Sequence, residues 1–171
     1  MLKDKFSLIA LASALALTPL PLRSAEKVVF RWTGSIIQPT IPTSDLVELA
    51  ETGQASRDLQ FYLERTKQSP ENLRLALTTP ISIHGVRLSQ FLNSPLGEII
   101  LDQLGEVIQT SANVANRQAL RAALVQSALP DNQLTLLEVI QNYPNEGVYL
   151  NGDRLSQITQ QIHTLAQILG L

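Results

Sequence analysis

Ser94-Pro95-Leu96-Gly97-Glu98-Ile99-Ile100-Leu101-Asp102-Gln103-Leu104-Gly105-Glu106-Val107-Ile108-Gln109 is the stretch whose reading decides the fold. A serine hydroxyl followed by proline is a helix start: the hydroxyl accepts an orphan N–H, and proline lacks an N–H where none is needed. Leu96, Ile100, Leu104, Val107 and Ile108 then recur every three or four residues. That period predicts a helix to about Gln109 with this stripe buried. Gly97 and Gly105 each cost a helix about 1 kcal/mol against alanine, so they predict close backbone packing there.

Working outward, the same period recurs on both sides. Downstream, Asn116 to Leu129 predicts a helix whose small residues, Ala123 and Ala128 among them, permit tight helix–helix contact. Asp131 is expected to cap a segment carrying Leu134, Leu137 and Ile140, stopped by Pro144. A last helix is expected from about Asn151, through Leu155, Ile158, Ile162, Leu165 and Leu169. Upstream, a brief helix carries Leu88, Phe91 and Leu92, after a short loop from Ile81 to His84. Ser69-Pro70-Glu71, Ser56 and Ser44-Asp45 mark three earlier starts, with Glu48 in the capping-box position and Gly53 as a C-terminal stop.

Before Pro42 the period changes to two. Val28, Phe30 and Trp32 alternate with Val29, Arg31 and Thr33, and Gly34-Ser35 suits a two-residue turn. A return strand from Ile36 to Ile41 would pair Trp32 with Ile37, Phe30 with Pro39 and Val28 with Ile41, giving one apolar face. Pro39 and Pro42 make that strand an edge. Val148-Tyr149-Leu150 is a possible third short strand. The fold class is therefore mainly α: a compact bundle of about seven or eight short helices with a small N-terminal β-hairpin.

The first residues read as an address. Lys3 and Lys5 precede an uncharged apolar run from Phe6 to Thr18, and Pro19 and Pro21 follow. This is the form of a secretory signal peptide, and the run is shorter than the roughly 20 residues that span a bilayer. Cleavage is expected between Ala25 and Glu26. Arg23 fits the −3 position poorly, Ala14-Leu15-Ala16 is an alternative, and an uncleaved anchor through Pro-Leu-Pro-Leu is another. Residues 26–171 then form a single helical domain with no stable membrane span, exported to the periplasm, the thylakoid lumen or the extracellular space.

The composition excludes several chemistries. With 171 residues, 44% hydrophobic and only 16% charged, the chain can build one core and is not a disordered polyelectrolyte. A net charge of −2 argues against a general nucleic-acid binder, which must neutralise phosphates. The absence of cysteine removes thiol catalysis, thiolate metal sites and disulfides. No Gly-x-Ser-x-Gly elbow and no glycine-rich phosphate loop occurs.

What remains is sparse. His84 reads as a turn or cap residue and His163 as a surface residue. Glu98, Asp102 and Glu106 form an acidic row at i, i+4 and i+8, opposite the apolar stripe. One helix face cannot wrap a cation, so a solvated row is expected, with Arg117 and Arg121, one turn apart, as pairing partners. No catalytic, cofactor or metal residues are assigned.

Several segments are familiar together: Lys27-Val28-Val29-Phe30-Arg31-Trp32, Asp45-Leu46 to Gly53, and Asp58-Leu59-Gln60-Phe61-Tyr62-Leu63. So are Leu88-Ser89-Gln90-Phe91-Leu92-Asn93-Ser94-Pro95-Leu96-Gly97, Leu120-Arg121-Ala122-Ala123-Leu124 and Leu134-Thr135-Leu136-Leu137-Glu138-Val139. The pattern resembles the cyanobacterial domain of unknown function 1400, which follows the signal peptide of exported proteins named α/β-hydrolases. The resemblance implies an exported accessory domain and supplies no catalytic residues, because the nucleophile elbow of longer relatives would follow this region. The expected partner is a separate α/β-hydrolase domain. The alternatives are a truncated or split hydrolase, and a module binding an apolar ligand between helices.

Overall fold

The computed structural model describes residues 24–154. The expected leader up to residue 23, and the expected last helix beyond residue 154 with the stripe through Leu169 and His163, lie outside the described residues. Asn151, where that helix was expected to start, instead ends a strand and is followed by a 3-10 turn over Gly152–Arg154.

Among the described residues, seven helices carry the core. They are α1 (Thr43–Thr52), α2 (Arg57–Arg65), α3 (Pro70–Thr78), α4 (Gly85–Leu92), α5 (Pro95–Gly105), α6 (Asn116–Ala128) and α7 (Leu136–Gln141). Six short strands accompany them: β1 (Lys27–Arg31), β2 (Thr40–Pro42), β3 (Ile81–Ser82), β4 (Ile108–Gln109), β5 (Gln133–Leu134) and β6 (Gly147–Asn151). The architecture is mainly α with a few short strands, as the sequence predicts.

The helix starts follow their caps. The Ser56, Ser69 and Ser94 hydroxyls accept the N–H groups of Leu59, Asn72 and Gly97, at 3.2, 3.1 and 3.2 Å. Gly53 ends α1 at φ 76°, a left-handed conformation that glycine adopts without strain. Two caps differ from expectation. The capping box expected at Asp45 and Glu48 does not form. α1 starts at Thr43 with no side-chain cap, and Asp45 instead accepts a hydrogen bond from Ser56. Asp131 caps no helix. Its carboxylate accepts the Gln133 N–H at 3.0 Å, and the true capping box joins Thr135 and Glu138. Leu134 consequently lies on β5, which pairs antiparallel with β3 where a loop was expected.

The hairpin is correct at its base and different at its tip. Val28 pairs with Ile41, and the Phe30 N–H meets the Pro39 carbonyl at 2.9 Å. Beyond that point pairing stops. The turn centres on Thr33-Gly34, closed by Ser35 N–H to the Trp32 carbonyl at 3.1 Å, with Gly34 at φ 78°. The expected pairing of Trp32 with Ile37 is absent, and Ile36 and Ile37 are 97% and 72% exposed. The apolar face fails there because no other element among the described residues covers the tip.

The third strand forms, and it is central. β6 pairs parallel with β1 from Lys27↔Gly147 to Arg31↔Asn151, and antiparallel with β4, giving the order β2-β1-β6-β4. β2 is an edge, as its prolines require. β4 lies in what the sequence reads as the end of α5. That helix stops at Gly105, so Ile108 joins the sheet opposite Leu150.

Within α5, Ile100, Leu101 and Leu104 are buried while Leu96 is 47% exposed, so the stripe turns toward Leu101. Gly97 meets the expected close contact: a Cβ there would collide with the Phe91 carbonyl and lie 2.7 Å from Leu92 Cα. Gly85 holds the α4–α6 seam in the same way: a Cβ there would lie 2.8 Å from the Ala128 carbonyl oxygen. α6 packs against α4, α5 and α7 and is the hub of the bundle.

Candidate functional site

A cleft of about 730 Å³ lies between the C-terminal end of α5, the N-terminal end of α6 and the end of β6. Asp102, Glu106, Arg117 and Arg154 line it with Gln109, Asn113, Asn116, Gln118 and Asn151. It is polar because two helix ends and a loop meet there without apolar side chains between them.

The acidic row sits on its rim. Arg117 donates through Nε to Asp102 Oδ1 at 2.6 Å and reaches Glu98 Oε2 at 3.0 Å. Arg121 reaches Glu98 Oε1 at 3.3 Å, and its Nε caps the last turn of α4 at the Leu92 carbonyl, 3.0 Å away. Arg154 pairs with Glu106. The row is therefore engaged by cations, not merely solvated. Asp102 and Glu106 stand near the negative end of the α5 dipole, where acids are unfavourable, and the arginines offset both that and their mutual repulsion. The Arg117 guanidinium holds the Asp102 carboxyl below its ordinary range, and Asp102 raises Arg117 in turn. Arg121 at the end of α4 and Glu98 in the first turn of α5 each suit the local dipole.

The floor of the cleft is built by Asn116. Its side-chain oxygen accepts the Thr110 N–H at 2.9 Å, and its amide donates to the Gly105 carbonyl at 2.9 Å and to Asn113 at 2.8 Å. Buried Thr110 donates to the Val114 carbonyl at 2.7 Å. These bonds hold Asn113 and Ala115 at φ 55° and 56°. For alanine that conformation costs about 1–2 kcal/mol, which the surrounding bonds must offset.

Sequence reasoning located the acidic row, Arg117 and Arg121. It missed Arg154, which it placed in the last helix, and the Asn116 network. The polar cluster Thr110-Ser111-Ala112-Asn113 between two helices was the available signal for the latter. His84 lies elsewhere, exposed at the N-cap of α4. Its carbonyl accepts the Leu88 N–H at 2.9 Å and its side chain makes no capping bond. Ala25 is 1% exposed within the core, and its carbonyl accepts the Thr43 hydroxyl at 2.7 Å. The Glu26 N–H bonds the Glu146 carbonyl at 2.9 Å.

The profile of the family described as "alpha/beta hydrolase of unknown function (DUF1400)" matches residues 24–151. The chain belongs to this family. The DUF1400 span coincides with the described fold, from the buried Ala25 to the end of β6. Its four-stranded sheet contains one parallel pair, β1 with β6, and two antiparallel ones. No curated protein and no solved structure gives a significant match.

Proposed function

We propose that this DUF1400 domain is an exported, non-catalytic accessory module that docks a catalytic partner, an α/β-hydrolase domain. The observation that carries the reading is the use made of the acidic row. Arg117, Arg121 and Arg154 tie Glu98, Asp102 and Glu106 into a brace joining α4, α5, α6 and the turn after β6. A general acid or base needs a carboxyl free to exchange protons near the working pH. Asp102 is held in the opposite direction, ionised below its ordinary range. The family description names α/β-hydrolases, and the choice of such a domain as the partner rests on that association alone. Export is supported by the apolar run from Phe6 to Thr18 behind Lys3 and Lys5.

The test is twofold. The purified protein should neither hydrolyse a chromogenic ester above blanks nor label with a serine-reactive fluorophosphonate. It should retain a co-expressed α/β-hydrolase domain on an affinity column. Turnover abolished by a point change at His84 or His163 would refute the reading, and so would failure to retain the hydrolase. The mass of the exported form locates the cleavage. A cut at Ala25–Glu26 removes Ala25 from the core and the bond from Thr43 with it.

The family description also favours a second reading, that the chain is the helical part of a truncated or split hydrolase. A reading frame carrying Gly-x-Ser-x-Gly directly downstream of the Leu171 codon favours it over a stand-alone module.

A further inference from the structure

The hairpin tip presents an apolar surface that no element among the described residues covers. Ile36 and Ile37 are 97% and 72% exposed, and Trp32 just behind them is 39% exposed. Two adjacent isoleucines in water cost free energy that any apolar environment would return.

The tip is nevertheless well held. Trp32 stacks on Phe30 with ring centroids 6.0 Å apart, and its indole lies against Gly152, where a Cβ would come within 2.6 Å of Cδ1. Asp153 accepts the Thr33 N–H at 2.8 Å, fixing the hairpin to the turn after β6. Within the tip, Ser35 N–H bonds the Trp32 carbonyl at 3.1 Å. The Ser35 hydroxyl donates to the Ile37 carbonyl at 2.9 Å and accepts the Ile37 N–H at 3.2 Å. Thr40 donates to the Gln38 carbonyl at 3.1 Å, and Pro39 has no N–H to satisfy.

We propose that this tip, Ile36 and Ile37 with Trp32 behind them, inserts into the interfacial layer of a zwitterionic lipid bilayer. Three observations select lipid over a protein groove. The surface is a convex point, which a bilayer accommodates without a matching pocket. No charged residue occurs from Trp32 to Ser44, so insertion strips no charge of water. Bonds to the Ser35 and Ile37 N–H groups and to the Trp32, Ile37 and Gln38 carbonyls reduce the number of backbone groups that entry would strip of water. Tryptophan is the side chain enriched at the depth between headgroups and acyl chains. Asp153 beneath the tip disfavours an anionic surface, which is why the proposal specifies zwitterionic lipid. The proposal is independent of the accessory-module reading and can stand or fall without it.

Trp32 is the sole tryptophan of the chain, so its emission reports on the tip alone. The experiment mixes the full chain with phosphatidylcholine vesicles, plain or carrying bromines along the acyl chains. The expected result is a blue shift of Trp32 emission and quenching by the brominated lipid. In Ile36→Ser/Ile37→Ser, with circular dichroism unchanged, the quenched fraction at equal lipid should correspond to at least about tenfold weaker partitioning. Ile36→Ser alone should fall between the two and serves if the double variant does not fold. Residues 6–18 are the same in all forms, so binding through them persists in the variants and cancels in the comparison. Unchanged emission of the parent chain, or equal quenching in parent and variants, overturns the proposal. So does Ile36-dependent retention of a protein partner with no quenching by vesicles.

Discussion

Helix α5 is held in two different ways on its two faces. On one, Gly97 brings its backbone against the end of α4, and Ile100, Leu101 and Leu104 sink into the core. On the other, Glu98, Asp102 and, just past the helix, Glu106 reach across half-exposed space to three arginines. The first face is close-packed, so its free energy depends on shape and tolerates no added atom. The second works through solvent-accessible charge, so it sets the position of α6 and of the turn after β6 while contributing little to stability. Packing within this one helix supplies most of the stability, and charge supplies the placement of its neighbours.

The packed face should break hardest. Leu101→Ala, at a fully buried position, is expected to lower stability by about 3–4 kcal/mol in denaturant unfolding, from lost transfer energy and the cavity left behind. Gly97→Ala comes next, at about 2 kcal/mol. Alanine favours the helix by about 1 kcal/mol, but its methyl meets the Phe91 and Leu92 backbone, which cannot move aside as a flexible side chain would. A Gly97→Ala protein as stable as the parent would refute the close-packed account.

The charged face should respond weakly and to different variables. Asp102→Asn is expected to shift the thermal midpoint only slightly, and less still in high salt, where exposed pairs are screened. Because the folded Asp102 carboxyl lies below its ordinary value, its contribution is complete above the unfolded value, about pH 4. That contribution disappears as the pH falls through the lowered folded value. Asp102→Asn should therefore show its small deficit at neutral pH and converge with the parent in acid, which flattens the acid limb of the stability profile. Carbon-detected titration of the Asp102 carboxyl checks the direction independently, and an upward shift would reverse the assignment.

The smallest effect is expected in the core itself. Tyr143 is 1% exposed, and its hydroxyl finds no hydrogen-bond partner among the described residues. Burial accordingly pushes the phenol above its ordinary pKa. Tyr143→Phe removes a desolvated polar atom without orphaning a partner, so the midpoint should stay or rise by up to about 1 kcal/mol in stability. A loss of several kcal/mol would show that the hydroxyl is satisfied in solution.

Much of the helical part was legible because helix signals are local. Ser56, Ser69 and Ser94 act on N–H groups three residues away, Gly53 on its own φ, and apolar residues on neighbours one turn along. The errors lie where two local readings compete. Asp131 reads as the cap of a segment starting at once, but the pairing of β5 with β3 extends the chain through Leu134 and moves the helix start to Thr135. The end of α5 was overrun because Val107 and Ile108 continue the helical period while in fact turning into the sheet. At the candidate site, the acids and two arginines were readable as periodic charge. Arg154 was not, since its pairing with Glu106 spans 48 positions.

The sequence by itself determined the helix starts at Ser56, Ser69 and Ser94, the close approach at Gly97, that Val28 can face Ile41, and that the chain carries neither cysteine nor Gly-x-Ser-x-Gly. Only the tertiary structure decided that β6 enters the sheet parallel to β1 across some 120 residues, that no element among the described residues covers the hairpin tip, and that the acidic row is a brace. The reason is range. Caps, turns and periodicity are energies within one or two turns of chain. Strand order, coverage of a surface and pairing across a cleft depend on which distant segments the packed core brings together.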